Sequence, residues 1–150
     1  MKSTLFLALS LLCSSVVLAD QSFEKLEQEA FAQINQYRAS QNLPPLQFDV
    51  TLYQVAQEHS QNMASGKTPF GHKDFKQRYQ QITRGSSGKR ASENVAKNTY
   101  APSQTVQRAV QSWIKSSGHR KNILGNYRKS GLAIARSKED LFYFTQIFMN

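Results

Sequence analysis

The stretch Trp113-Ile-Lys-Ser-Ser-Gly-His-Arg-Lys-Asn-Ile-Leu124 joins a helical pattern to a glycine turn. Upstream of it, apolar residues recur at helical spacing over residues 105–114, so we predict a helix that begins near Pro102. Gly118 interrupts the pattern, and glycine commonly terminates helices. The pattern therefore predicts that His119 lies just beyond a helix end, at a rim where its imidazole can meet a ligand.

Two further segments place polar side chains beside turn residues: Gly71-His72, and Ser92-Glu93-Asn94 after a loop rich in glycine and serine. Together with His119, they offer two imidazoles and a carboxylate, which can supply the three protein ligands of an open zinc site. The same groups can form an acid–base pair with an orienting residue, or a structural hydrogen-bond network. Spacing alone leaves the three alternatives open, because the sequence has no local metal motif.

The third histidine, His59, falls on the apolar side of another predicted helix. Asp49 is the expected N-cap of this helix, and Ser65-Gly66 ends it. A histidine on an apolar stripe is usually a core-edge residue that hydrogen-bonds to the backbone. We therefore expect a structural role for His59. The other residues of the stripe are Leu52, Val55, Ala56 and Met63.

The remaining segments predict a mixed fold. Residues 23–37 show an amphipathic helical pattern, and residues 66–90 are mostly loop with one helical turn at 74–80. Residues 91–96 are a short extended piece, and residues 131–135 and 141–148 form an antiparallel hairpin. Three helices and a terminal hairpin make an α+β layered domain.

The first residues are typical of an export signal. Lys2 precedes an apolar run from Leu5 to Leu12, and small residues lead to Ala19. We predict a signal peptide at residues 1–19 and a single domain at residues 20–150, with no transmembrane segment in the mature chain. Cys13 is the only cysteine, so the predicted domain has no disulfide.

The chain carries a formal charge of +9, from 19 basic and 10 acidic residues. An exported basic protein can meet anionic partners such as cell-wall polymers and lipid surfaces, but the charge can also serve solubility alone, which is the interpretation we favour. The basic residues are not interleaved with aromatic residues as in a base-stacking surface, so we do not expect nucleic acid as a partner.

Taken in order, these motifs resemble a CAP domain, also called the SCP domain, of the cysteine-rich secretory protein, antigen 5 and pathogenesis-related 1 superfamily. The resemblance covers residues 27–149 and is nearest to the short, cysteine-free bacterial branch. The motifs that carry it are Asn35-Gln-Tyr-Arg38, Ser92-Glu-Asn-Val95, Gly118-His-Arg-Lys-Asn-Ile-Leu124 and Tyr143-Phe-Thr-Gln-Ile-Phe148.

The resemblance implies an α-β-α sandwich with a small antiparallel sheet and a cleft lined by two histidines and two acidic residues. His72 and His119 match the two histidines, and Glu93 matches one acidic residue. Ser116 stands where the second acidic residue is expected, and Asn94 completes the Glu-Asn motif. Some members hold zinc or another divalent cation between the two histidines, and others bind sterols or fatty acids in apolar grooves.

We therefore expect a secreted, non-enzymatic CAP-domain binding protein whose cleft holds a divalent metal or a small ligand. One alternative is a metal-dependent hydrolase in which Glu93 is the base toward a water held by His72 and His119. Another alternative is an extracellular lipid- or sterol-binding protein that uses apolar side chains of the hairpin and the 66–90 loop.

Overall fold

The computed structural model describes residues 10–84 and 89–150, with side chains from residue 23 onward. The helices are α1 (Ser10–Ser40), α2 (Val50–Ala64), α3 (Phe75–Ile82), α4 (Pro102–Lys115) and α5 (Ser117–Ile123). The strands are β1 (Gln47–Phe48), β2 (Ala91–Asn98), β3 (Lys129–Arg136) and β4 (Phe142–Met149).

The strands form one sheet in the order β1-β3-β4-β2. The predicted hairpin is confirmed, since β3 pairs antiparallel with β4 and β2 adds antiparallel on the other side of β4. The short strand β1 was not predicted, and it pairs parallel with β3 at only two positions. The sheet is therefore antiparallel except at this edge.

Helices cover both faces of the sheet. One face packs against α1, α4 and α5, where Ile34, Trp113 and Phe148 belong to a single buried cluster. The other face packs against α2, where Leu52 and Ile147 share a second cluster. The predicted α+β class and α-β-α sandwich are thus confirmed, with three long helices and two short ones among the described residues.

The second helix follows its sequence pattern. Asp49 caps it, because its Oδ1 atom accepts hydrogen bonds from the amides of Thr51 (3.0 Å) and Leu52 (3.1 Å). The predicted apolar stripe is buried, including His59. These residues set α2 firmly on the sheet, with His59 facing inward.

The helix break before His119 lies two residues earlier than predicted. Ser116 is extended (φ −83°, ψ 122°) and separates α4 from α5. Its amide donates to the Ser112 carbonyl and its carbonyl accepts from Arg120, so Ser116 ends one helix and begins the next. Gly118 and His119 therefore lie inside α5. The prediction that the break occurs at Gly118 was wrong, because a residue in the β region already turns the chain here.

The loop after α2 contains more helix than predicted, since α3 continues to Ile82. Residues 85–88 of the predicted loop lie outside the described residues, as do residues 1–9 of the predicted signal peptide. Within residues 10–84 and 89–150, no helix is both long and apolar enough to cross a bilayer.

Candidate functional site

The site is built around Glu93, which lies in β2 with a side chain only 1% exposed. Arg78 of α3 binds its carboxylate with both forks of the guanidinium, from Nε to Oε2 at 2.8 Å and from Nη2 to Oε1 at 2.7 Å. A third donor, Arg78 Nη1, reaches the Lys73 carbonyl at 2.8 Å. This geometry fixes the carboxylate and offsets its charge.

His72 contacts the same carboxylate from the solvent side. Its Nδ1 atom lies 3.0 Å from Glu93 Oε1, and its side chain is 51% exposed. An ionised carboxylate only accepts hydrogen bonds, so Nδ1 carries the proton. In the neutral ring, Nε2 is then left with the lone pair, which is the arrangement that orients histidine ligands in many sites.

His59 lies beneath His72 and is 3% exposed. Its Nε2 atom donates to the Gly71 carbonyl at 2.9 Å, so the predicted backbone hydrogen bond is present. The same nitrogen is 4.0 Å from Glu93 Oε1. Gly71 has φ 136°, a conformation that favours glycine. His59 therefore holds the glycine turn that presents His72.

The pKa values of these buried groups follow from their surroundings. Burial raises the pKa of Glu93, but hydrogen bonds from His72 and Arg78 outweigh it, so the net pKa is lowered. Burial lowers the pKa of His59, and the Arg78 charge lowers it further. At neutral pH the site therefore contains an ionised Glu93 and a neutral His59.

His119 forms a second, separate pair. Its Nδ1 atom lies 2.8 Å from Ser116 Oγ, so the serine hydroxyl contacts the ring where the family resemblance implied an acid. Partial burial lowers the pKa of His119, and the charge of His72 lowers it further. His119 therefore favours its neutral form more than a free imidazole does.

Asn94 links Glu93, its neighbour in β2, to the backbone of His119 in α5. It is fully buried, and its Nδ2 atom donates to the His119 carbonyl at 3.0 Å. Its Oδ1 atom accepts from Asn122 at 2.8 Å. The predicted cleft residue Asn94 thus anchors α5 beside β2. The predicted residues His72, Glu93, Ser116 and His119 lie around this end of β2.

The donor set can be compared with that of a catalytic zinc site, which needs three protein ligands. Both oxygens of Glu93 are bound by Arg78, and Oε1 also accepts from His72. In the described part of the chain, no group of three His, Cys, Asp or Glu side chains is arranged to hold a metal. The residues do not fit a three-ligand zinc site, and a cation here would rest on the two imidazoles.

Arg78 was missed by the sequence reasoning, although a signal was present. Phe75, Arg78, Tyr79 and Ile82 recur at three and four residues, which places the arginine on the same helix face as apolar residues. An arginine at such a position usually has a buried partner. The segment 74–80 was predicted as a helical turn, but its apolar face was not assigned to the core.

The surfaces named in the lipid hypothesis are mostly covered. In the hairpin, Phe142, Phe144 and Phe148 are buried. In the 66–90 loop, Phe70 is 43% exposed, with Lys97 Nζ 4.9 Å from its ring centroid and Tyr143 at 6.4 Å. Phe70 is thus the main apolar group that the described part of these two segments offers to a lipid.

Comparisons with known proteins agree on the family. The model of the cysteine-rich secretory protein family, CAP, matches residues 31–148. The uncharacterized protein YkwD of Bacillus subtilis (strain 168) is 34% identical over 123 residues, which cover 79% of this chain and 46% of that protein. The chain therefore spans less than half the length of this relative.

Solved structures show the same fold. An extracellular protein containing a SCP domain from Bacillus anthracis str. Ames matches with a TM-score of 0.70 and 27% identity, over 85% of this chain and 41% of that chain. An outer surface protein from Borrelia burgdorferi matches with a TM-score of 0.67 and 20% identity, over 84% of this chain and 92% of that chain. Since the family model matches most of the sequence, the chain belongs to the cysteine-rich secretory protein (CAP) family.

Proposed function

We propose that this chain is an exported CAP-domain binding protein that holds a polar, negatively charged ligand between His72 and His119. The observation that carries the proposal is the double hydrogen bond from Arg78 to Glu93. Because the positive charge of Arg78 offsets the negative charge of Glu93, the floor of the cleft does not repel an anion. His72, oriented by the same carboxylate, can then donate or accept a hydrogen bond at Nε2.

The charges around the cleft favour an anion. Lys73 directly follows His72, and Arg120 and Lys121 directly follow His119. Lys73 and Lys121 are exposed, so their charges face solvent. The whole chain is also strongly basic, at +9. Such a field raises the local concentration of anionic ligands.

Export is supported by the predicted signal peptide at residues 1–19 and by the two structural relatives, which are an extracellular protein and an outer surface protein. Outside the cell, phosphate and carboxylate groups are abundant on cell-wall polymers and lipid headgroups. We propose such groups as the ligand class.

A divalent cation is the second candidate. The hydrogen bond from His72 to Glu93 leaves Nε2 as a ligand atom, as in carboxylate–histidine–metal arrangements. The metal-dependent hydrolase has less support, because it needs Glu93 as a free base. Its carboxylate is occupied by Arg78 and its pKa is lowered, so it is a poor proton acceptor.

The experiment is an NMR titration of the imidazole nitrogens, which is simple because the chain has three histidines. Inorganic phosphate and ZnCl₂ are added separately to the ¹⁵N-labelled protein and to its His72→Gln and His119→Gln variants. We expect phosphate to shift His72 and His119 while buried His59 stays unchanged as an internal control. Zinc binding that both variants lose would favour the cation. No shift with either ligand would overturn both candidates.

A further inference from the structure

A groove with a volume of about 870 Å³ lies between α1 and α2, and none of the cleft residues lines it. Helix α1 forms one wall and α2 the other, while β3 forms the floor. Its size is within the range of sites that bury a drug-sized ligand or a short peptide. Its lining includes Glu24, Glu27, Phe31, Ala32, Phe48, Tyr53, Leu132, Ile134 and Arg136.

The floor of the groove is the edge of β3 beyond β1, where Leu132 and Ile134 are 2% and 5% exposed. Strand β1 pairs with β3 only as far as Ser130, and beyond it no other strand among the described residues lies on this side of β3. The Ile134 amide points into the groove, because it donates to Glu27 Oε1 at 2.8 Å. Alternate residues of a strand direct their main-chain groups to the same side. Leu132 and Arg136 therefore present theirs to the groove as well.

Glu27 is positioned where a neighbouring strand would place a carbonyl. Its Oε1 atom accepts from the Ile134 amide, and its Oε2 atom accepts from the Tyr53 hydroxyl at 3.0 Å. One ladder position of β3 is thus already satisfied by a side chain. A peptide that adds beside β3 replaces the Glu27 carboxylate at this position with one of its own carbonyls and pairs with the positions on either side of it.

One end of the groove is aromatic. The ring centroids of Phe31 and Phe48 are 6.2 Å apart, and those of Phe48 and Tyr53 are 5.6 Å apart. Phe48 is 59% exposed, an unusual exposure for a phenylalanine in a packed cluster. The cluster offers an apolar surface for one side chain of an added strand.

The charge of the groove differs from that of the chain. Glu24 and Glu27 line α1, whereas the chain as a whole is at +9. The one arginine of the lining, Arg136, is paired with Asp140 at 3.2 Å. The acidic side therefore favours a partner that carries a basic side chain.

We propose that this groove binds an extended, basic peptide segment of another protein, which adds as a strand beside Leu132–Arg136. Main-chain hydrogen bonds to this edge of β3 supply affinity, and the aromatic end and Glu24 select an apolar and a basic side chain. At a rise of about 3.3 Å per residue, this edge accommodates roughly five residues of the added strand.

The test begins with a phage-displayed random heptapeptide library, and enriched sequences are synthesised as capped peptides. We expect them to contain lysine or arginine and to shift the amide resonances of Leu132, Ile134 and Arg136. N-methylation of those peptide amides that face β3 should weaken binding about tenfold, while N-methylation of the alternate amides should not. Affinity that ignores N-methylation, or the absence of any enriched sequence, would overturn strand addition.

Two matched pairs of variants locate the site. Ala32 and Ala39 are both exposed on α1, but only Ala32 lines the groove, so Ala32→Trp should abolish binding and Ala39→Trp should not. Glu24 and Glu29 each bind a glutamine four residues later at 3.0 Å, and only Glu24 lines the groove. Glu24→Lys should weaken binding, while equal binding by Glu24→Lys and Glu29→Lys would contradict the proposal.

Discussion

Arg78 and Glu93 face each other through two parallel hydrogen bonds of 2.8 and 2.7 Å, and their side chains are 11% and 1% exposed. Removing one partner leaves the other charge buried. We expect Arg78→Met and Glu93→Gln each to lower the free energy of unfolding by about 3–5 kcal/mol, with the double variant losing much less than the sum. Urea unfolding followed by circular dichroism measures all three.

The control for this double-mutant cycle is the ion pair between Lys129 and Asp49, whose charged atoms lie 3.0 Å apart near the surface. Lys129→Met should lower the free energy of unfolding by less than about 1 kcal/mol, because solvent screens this pair. If the losses of Arg78→Met and Glu93→Gln were additive, the buried pair would not be coupled, and the central feature of the site would be wrong.

The buried histidine makes stability depend on pH. The pKa of His59 is lowered from 6.5, so the unfolded chain takes up a proton at a higher pH than the folded chain. The contribution of His59 to the free energy of unfolding is therefore fully present above pH 6.5 and decreases as the pH falls toward the pKa of the folded state. We expect His59→Gln to flatten this decline in urea midpoints measured from pH 7.5 downward. A decline of unchanged steepness would exclude His59 as its cause.

Glu93 adds a second, more acidic transition. Its pKa is lowered from 4.5, so its contribution is present above pH 4.5 and is lost as the pH falls through the lower, folded value. At neutral pH the urea midpoint of Glu93→Gln should be lower than that of the parent chain. Below pH 4.5 the midpoint of the variant should change less with pH than that of the parent chain. A parallel curve for the two proteins would show that Glu93 does not titrate in this range.

Ser116 determines the environment of His119. Its Oγ atom lies 2.8 Å from His119 Nδ1, so an aspartate at this position places a carboxylate beside the ring. We expect Ser116→Asp to raise the pKa of His119 and to increase its affinity for zinc, since a carboxylate that accepts a hydrogen bond from Nδ1 leaves Nε2 as a better metal ligand. NMR titration and calorimetry measure the two effects. Ser103→Asp, at an exposed position of α4, is the control and should change neither.

The parts that sequence could predict were those with a repeated physical signal. The hairpin was predicted from its β-forming residues, the period of α2 reflects burial on one side, and Asp49 supplies the cap. Strand β1 has no such signal, because Gln47 and Phe48 are both exposed. Arg78 was missed because α3 has only one buried residue, Ile82. The histidines were found from the turns beside them, whereas their partners depend on tertiary packing.

Two glycines, Gly131 and Gly118, have opposite surroundings. A Cβ atom added at Gly131 would overlap the backbone of Leu52 and Tyr53, whereas one added at Gly118 would meet no atom within 4 Å. Gly131 is thus the point at which α2 lies directly against β3, and α2 carries His59 into the site. Gly118 lies within α5, where alanine is the better helix former.

We therefore expect Gly131→Ala to lower the free energy of unfolding by roughly 1–3 kcal/mol and to shift the His59 resonances, because α2 must move away from the sheet. Gly118→Ala should instead raise the free energy of unfolding by about 0.5–1 kcal/mol, through helix propensity and a more restricted unfolded chain. Urea unfolding and imidazole NMR measure both variants. Equal stability of the two would contradict the close contact between α2 and β3, since only that contact distinguishes a harmful methyl group from a helpful one.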